Sequence, residues 1–162
     1  MVVATPAGIT LAPEGGAHQS ISTPMIGMGQ PGLTSFEPAY ADELAEIMAW
    51  GFHHMQADDG GSVYLRLSTR PVIQQKRKMT KALREGIQQG AYWRQKPKDT
   101  KSPIIIYAGA IAPEAEAAAK QIDGAGLLAI TSADRLFTNW TAQSENSWIV
   151  KLLDDAPKGQ PL

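Results

Sequence analysis

The chain has 162 residues, 43% hydrophobic and 19% charged, with 15 Lys and Arg against 16 Asp and Glu for a net charge of -1. That balance predicts a packed core in one domain or two small ones, excludes wholesale disorder, and offers no basic excess for nucleic acid or an anionic membrane. Cysteine is absent, which excludes disulfides and thiolate metal sites and fits a reducing, cytoplasmic setting.

The opening MVVATPAG lacks the basic region and long apolar core of a signal peptide. Ile9-Thr10-Leu11 is read as the end of a short strand, stopped by Pro13. Glu14, Gly15, Gly16, His18 and Gln19 follow in a glycine-rich loop, where backbone freedom allows close approach to a ligand. Taken by itself, His18 is either a loop histidine donating to a backbone carbonyl or a group placed for proton transfer. PMIGMGQP, from Pro24 to Pro31, has neither period and reads as a loop lying against something apolar.

Ser35 to Gln56 is predicted to be a helix, with Pro38 in its first turn and Glu37, Asp42 and Glu43 complementing the dipole. Leu44, Ile47, Met48, Gly51, Phe52 and Met55 recur at three- and four-residue steps, as on a single buried face. His53 and His54 are neighbours, so on a helix they point about 100° apart and do not make a two-ligand metal site. One is expected to pack and the other to face water. Asp58-Asp59-Gly60-Gly61 is read as a turn rather than a metal loop, and no metal site is predicted.

Ser62 to Thr69 alternates as a strand. The basic run from Ile73 to Gly90 is read as a solvated linker passing into a short helix with Met79, Leu83 and Ile87 at four-residue steps, and as the domain boundary. Ala91 to Gln95 reads as a short strand. Ile104 to Ala108 is a second, and with its flanks it is the longest apolar run, well short of the roughly 18–20 residues that span a bilayer. A helix opening at Pro113 and a strand from Leu127 to Thr131 complete a parallel βαβ unit. Neither a Gly-x-Gly-x-x-Gly phosphate loop nor a Gly-x-Ser-x-Gly elbow is present. Asp134 to Trp148 reads as less regular and DDAPKGQPL as a frayed end.

LAPEGGAHQS followed by TSFEPAYADELAEIM resembles the pyrimidine-binding domain of the transketolase superfamily of thiamine diphosphate enzymes, and within it the homodimeric bacterial-type pyruvate dehydrogenases, the decarboxylating first component of a 2-oxo acid dehydrogenase complex. VYLRLSTRPV is similar to the last strand of that domain. REGIQQGAYW, SPIIIYAGAIAPEAEAAAKQI and GLLAITSADRLFTNW are similar to the opening of the carboxy-terminal domain. The resemblance implies an α/β fold: residues 1–72 are the trailing half of a transketolase-type pyrimidine-binding domain, 73–90 a linker and short helix, and 91–162 the first βαβ of a transketolase-type C-terminal domain.

The same resemblance implies thiamine diphosphate and Mg2+ as cofactors, with decarboxylation of pyruvate and transfer of the acyl group to a lipoyl acceptor. His18 would stand on the substrate side of the coenzyme as the catalytic residue, and Glu14, Gly15, Gly16 and Gln19 would shape its loop. The family's Gly-Asp-Gly motif with a later Asn is absent, the only asparagines being Asn139 and Asn146. The chain is therefore expected to be a fragment whose diphosphate and metal ligands lie elsewhere, in a second subunit or a missing part of the same enzyme. A lipoyl-bearing acyltransferase component is the expected further partner. Two other readings stand beside this one: ketol transfer of the transketolase type, for which Arg66 and Arg70 are the nearby cations, and a non-catalytic interaction module or truncated remnant.

Overall fold

The computed structural model describes residues 1–5 and 22–157. Two three-stranded sheets organise them. In the first, β1 (Val2–Ala4), β3 (Ser62–Arg66) and β2 (Leu33–Phe36) lie side by side in that order, all parallel. In the second, β4 (Ala91–Gln95) runs antiparallel to the central β6 (Gly126–Ile130), and β5 (Ile104–Ala108) runs parallel to it. The expected βαβ is present, its crossover being α4 (Ala112–Ala119) with a proline in the first turn. None of the described helices is long and apolar enough to cross a membrane.

The long amphipathic helix, α2, spans Ala41–His54 and starts six residues later than the sequence suggests. Ser35 and Phe36 are drawn into β2, where they pair with Tyr64 and Leu65. Pro38 consequently falls in the turn between strand and helix. Glu43 then reaches back so that its Oε2 accepts from the backbone N–H of Ala39 (2.7 Å) and Tyr40 (3.2 Å), which fixes the start. Along α2, Ile47 and Gly51 are buried and Leu44, Met48 and Met55 pack partly against the core, but Phe52 is exposed. His53 is exposed, while His54 stacks on Trp50 with ring centroids 4.6 Å apart. The 58–61 segment is a turn, as expected.

Three further readings need correction. Thr23–Met28 within the expected loop is a short helix, α1, whose proline in the first turn gives up an N–H that has no helical partner there. Its Met25, Ile26 and Met28 are more than half exposed. The irregular region after Asp134 contains α5 (Ala133–Gln143) and α6 (Trp148–Asp154). Trp148 Nε1 donates to Ala91 O and Trp93 Nε1 to Leu152 O, tying α6 to β4. The basic run does lead into a helix, α3 (Lys81–Gln89), capped by Thr80 and ended by the left-handed Gly90. Arg77 within that run, however, is not a solvated charge. It bonds Asp42, Glu43 and Tyr92.

One apolar cluster holds the two sheets together. Phe36, Ile47, Val63 and Leu65 meet Ile87, Tyr92, Tyr107 and Leu127 in it.

Candidate functional site

Strands β1, β2 and β3 all point the same way, so Ala4, Phe36 and Arg66 end at one edge of their sheet. The carboxyl ends of β5 and β6, at Ala108 and Ile130, meet the same place. In open α/β sheets the carboxyl ends of the strands are where ligands collect, because the loops that follow them are free to vary. Here a cavity of about 60 Å³ lies between them, lined among others by Ser35, Glu37, Arg66, Ala108, Thr131 and Asp134.

The polar groups around this cavity are closely held. Arg66 Nη1 stands 2.5 Å from Glu37 Oε1, and Arg66 Nε donates to Thr23 Oγ1 at 2.8 Å. Glu37 N donates to Thr131 O at 2.7 Å, and Ser35 N to Asp134 Oδ2 at 2.9 Å. Ser132 caps α5 by accepting from Arg135 N while its own hydroxyl donates to Ser35 O. The end of β2 is thus stitched to the start of α5. Sequence reasoning missed that stitch, although Ser132 with an acid two residues later is a recognisable helix start. Chemically, a guanidinium already matched by a carboxylate supplies directed N–H groups but little net charge.

A second network lies beside it, under the amino end of α2. Glu43 Oε1 accepts from the Tyr92 hydroxyl and from Arg77 Nη2, and Arg77 also forks onto Asp42. Tyr40 OH donates to Glu116 Oε1, which Arg94 Nε also reaches. Burial pushes the Tyr40 hydroxyl up to about 12, and its bond to Glu116 adds to this. Burial raises Tyr92 as well, reinforced by the charge of Glu43. For Asp42 burial favours the neutral acid, but the bonds from Arg77 outweigh it and hold the carboxyl below its usual range.

His18, Glu14, Gly15, Gly16 and Gln19 lie outside the described residues. In the chain they fall between Ala4, at the carboxyl end of β1, and Thr23, which Arg66 touches. Arg70 forks onto both oxygens of Glu114 and also reaches Ala110 O. Among the described residues no group of three His, Asp or Glu is placed to hold a metal ion, and the arginines at this edge are engaged by carboxylates. The described residues therefore do not fit a magnesium diphosphate.

No family model matches the sequence, and no curated protein matches it. Solved structures do resemble the fold. A mutant transketolase from Pichia stipitis matches with a TM-score of 0.69 at 22% identity, over 90% of this chain and 20% of its own. A transketolase from Leishmania mexicana matches with a TM-score of 0.69 at 19% identity, over 90% of this chain and 21% of its own. Another mutant transketolase from Pichia stipitis, in complex with fructose-6-phosphate, matches with a TM-score of 0.65 at 20% identity, over 87% and 20%. The α/β architecture expected from the sequence is borne out: the chain has a transketolase-like fold, spanning about a fifth of the length of the enzymes it resembles.

Proposed function

We propose that this chain is part of a thiamine diphosphate-dependent 2-oxo acid dehydrogenase of the pyruvate dehydrogenase type, a cytoplasmic enzyme that decarboxylates pyruvate and passes the acyl group to a lipoyl-bearing acyltransferase. The coenzyme supplies the electron sink for breaking the bond beside the carbonyl. This chain supplies the carboxyl edge of the first sheet and, in His18, a group for moving a proton on the substrate side. The grip on diphosphate and metal belongs to a second subunit or to another part of the same enzyme.

The observation that carries the choice of substrate is the state of the two arginines nearest that edge. Arg66 is matched by Glu37 and Arg70 by Glu114. A sugar phosphate calls for cations with charge to spare, whereas a small 2-oxo acid needs only directed hydrogen bonds and one countercharge.

The second reading is ketol transfer, favoured by the identity of the structural neighbours, one of them solved with fructose-6-phosphate. Assay of the uninterrupted polypeptide containing this chain separates the two. Pyruvate-dependent release of carbon dioxide is expected; cleavage of a ketose phosphate without turnover of pyruvate establishes the second reading instead. Calorimetry of the 162-residue chain with thiamine diphosphate and magnesium is expected to show no binding. Binding in the micromolar range would return the diphosphate site to this chain.

A further inference from the structure

Six arginines fall in the described residues, and five of them touch a carboxylate: Arg66, Arg70, Arg77, Arg84 and Arg94. Arg135 does not. Among the described residues its guanidinium meets no carboxylate and donates no hydrogen bond, and its Nε is sealed from solvent without an acceptor. What it does meet is the face of Trp50, with Cζ 4.3 Å from the ring centroid. Burial works against its charge, and Asp134 offsets only part of that. A partly desolvated cation that rests on an aromatic face with no carboxylate bonded to it is an expensive arrangement unless an anion completes it.

Arg135 lines a cavity of about 610 Å³ between the turn after α1, the turn after α2 and helix α5. That volume is within the range of small-molecule sites. Leu33, Thr34 and Gly61 line it, which places it at the amino ends of β2 and β3. Glu37 and Arg66 lie at the other end of those strands, about 13 Å away for four residues of strand. The cavity thus opens at the opposite end of these strands from Glu37 and Arg66, although Met28 and Asp134 line both spaces.

Its other polar groups narrow the ligand. Asn139 has its Oδ1 occupied by Trp148 N, so it offers the cavity its NH2. Gln89 and Thr138 add an amide and a hydroxyl. His54 Nε2 accepts from Gly61 N at 3.1 Å, which engages that nitrogen within the turn after α2. Asp59 and Asp134 also line the space. With Arg135 they leave the lining net negative, so an anion with several charges is repelled more strongly than one with a single charge.

We propose that this cavity is a binding site for a small monocarboxylate, its carboxylate seated on the terminal nitrogens of Arg135 and its polar substituents on Gln89, Thr138 and Asn139. The test is a titration of the isotope-labelled full chain with sodium acetate, following the Arg135 side-chain N–H resonance by NMR against those of the five paired arginines. Sodium chloride at matched ionic strength and inorganic phosphate serve as comparison anions. A saturable shift confined to Arg135 and specific to acetate is expected, and Arg135→Gln abolishes acetate binding. Asp59→Asn, a change on an exposed turn that leaves Arg135 in place, is expected to tighten acetate about threefold by removing a like charge. An equal response to chloride, tighter binding of phosphate, or no gain from Asp59→Asn overturns the proposal.

Discussion

The hydroxyl of Tyr92 donates a 2.5 Å hydrogen bond to a carboxylate oxygen of Glu43, a residue only 1% exposed and 49 positions earlier in the chain. Arg77 completes the arrangement by bonding Glu43, Asp42 and the same tyrosine oxygen. Glu43 belongs to the helix beside the first sheet and Tyr92 to the second sheet, so the bond joins the two halves at a point closed to water. Removing one member leaves the others buried and unmatched. Tyr92→Phe is expected to cost about 1–3 kcal/mol for the stranded acceptor. Arg77→Met, which abandons two carboxylates, is expected to cost about 3–5 kcal/mol. Urea unfolding measures both, and an unchanged midpoint for Arg77→Met would show that the network holds nothing.

Alkaline pH attacks the same region. Tyr40, Tyr92 and Tyr107 are all raised, chiefly by burial, with Tyr40 at about 12. For an acid whose folded value lies above its unfolded value of about 10, the unfolded chain loses its proton first. The stabilisation is therefore complete below about pH 10 and is lost as pH rises toward 12 and beyond. Thermal unfolding is expected to hold steady from neutrality to about pH 10 and to fall above it. Tyr64 is the fourth tyrosine. Tyrosinate absorbance should show the three raised residues ionising only with the loss of the fold; their titration near the ordinary value in the folded chain would refute the assignment.

The turn after α2 offers a sharper contrast. A side chain at Gly60 would land on the carbonyl oxygen of His54, whereas one at Gly32 meets open space but sits at a φ of +75°. Gly32→Ala is expected to cost about 1 kcal/mol from the left-handed conformation alone. Gly60→Ala is expected to cost more, and to disturb the stack of His54 on Trp50, since backbone must move. Thermal midpoints of the two variants, with the near-ultraviolet signal of Trp50 against a Trp50→Phe control, test the order. The reverse order would mean that the turn relaxes freely.

Local patterns announced most of this fold and long-range pairings did not. Ile104 to Ala108 and Ala91 to Gln95 were legible as strands because turn residues or glycines bound each of them. The start of α2 was misread because Pro38 suits a first helical turn, and only pairing with β3 reveals that Ser35 and Phe36 are strand. Arg77 looked like one charge in a solvated run, since nothing near it in sequence says that Asp42 and Glu43 wait across the junction. Glu37 stands out in the sequence as a helix-dipole acid and Arg66 as a nearby cation for the ketol-transfer reading. Their mutual bond depends on the parallel register of β2 and β3. Arg135 was invisible for the converse reason: its distinction is that no carboxylate among the described residues bonds it, which only the folded arrangement reveals.

His18 remains the residue on which the catalytic reading turns. In the sequence it falls between Ala4, which ends β1, and Thr23, which bonds Arg66, and those two described residues lie at the edge where Glu37 and Arg66 meet. If the imidazole moves a proton on the substrate side, its loss removes an interaction made in the transition state and leaves coenzyme binding largely intact. His18→Ala in the complete enzyme is therefore expected to lower kcat by about 10²–10⁴-fold, the usual worth of a positioned acid or base. The affinity for thiamine diphosphate should change far less. A control at Gln19→Ala, which keeps the imidazole, should retain much of the turnover. Unchanged turnover in His18→Ala, or a loss traceable wholly to coenzyme release, would make His18 an ordinary loop histidine.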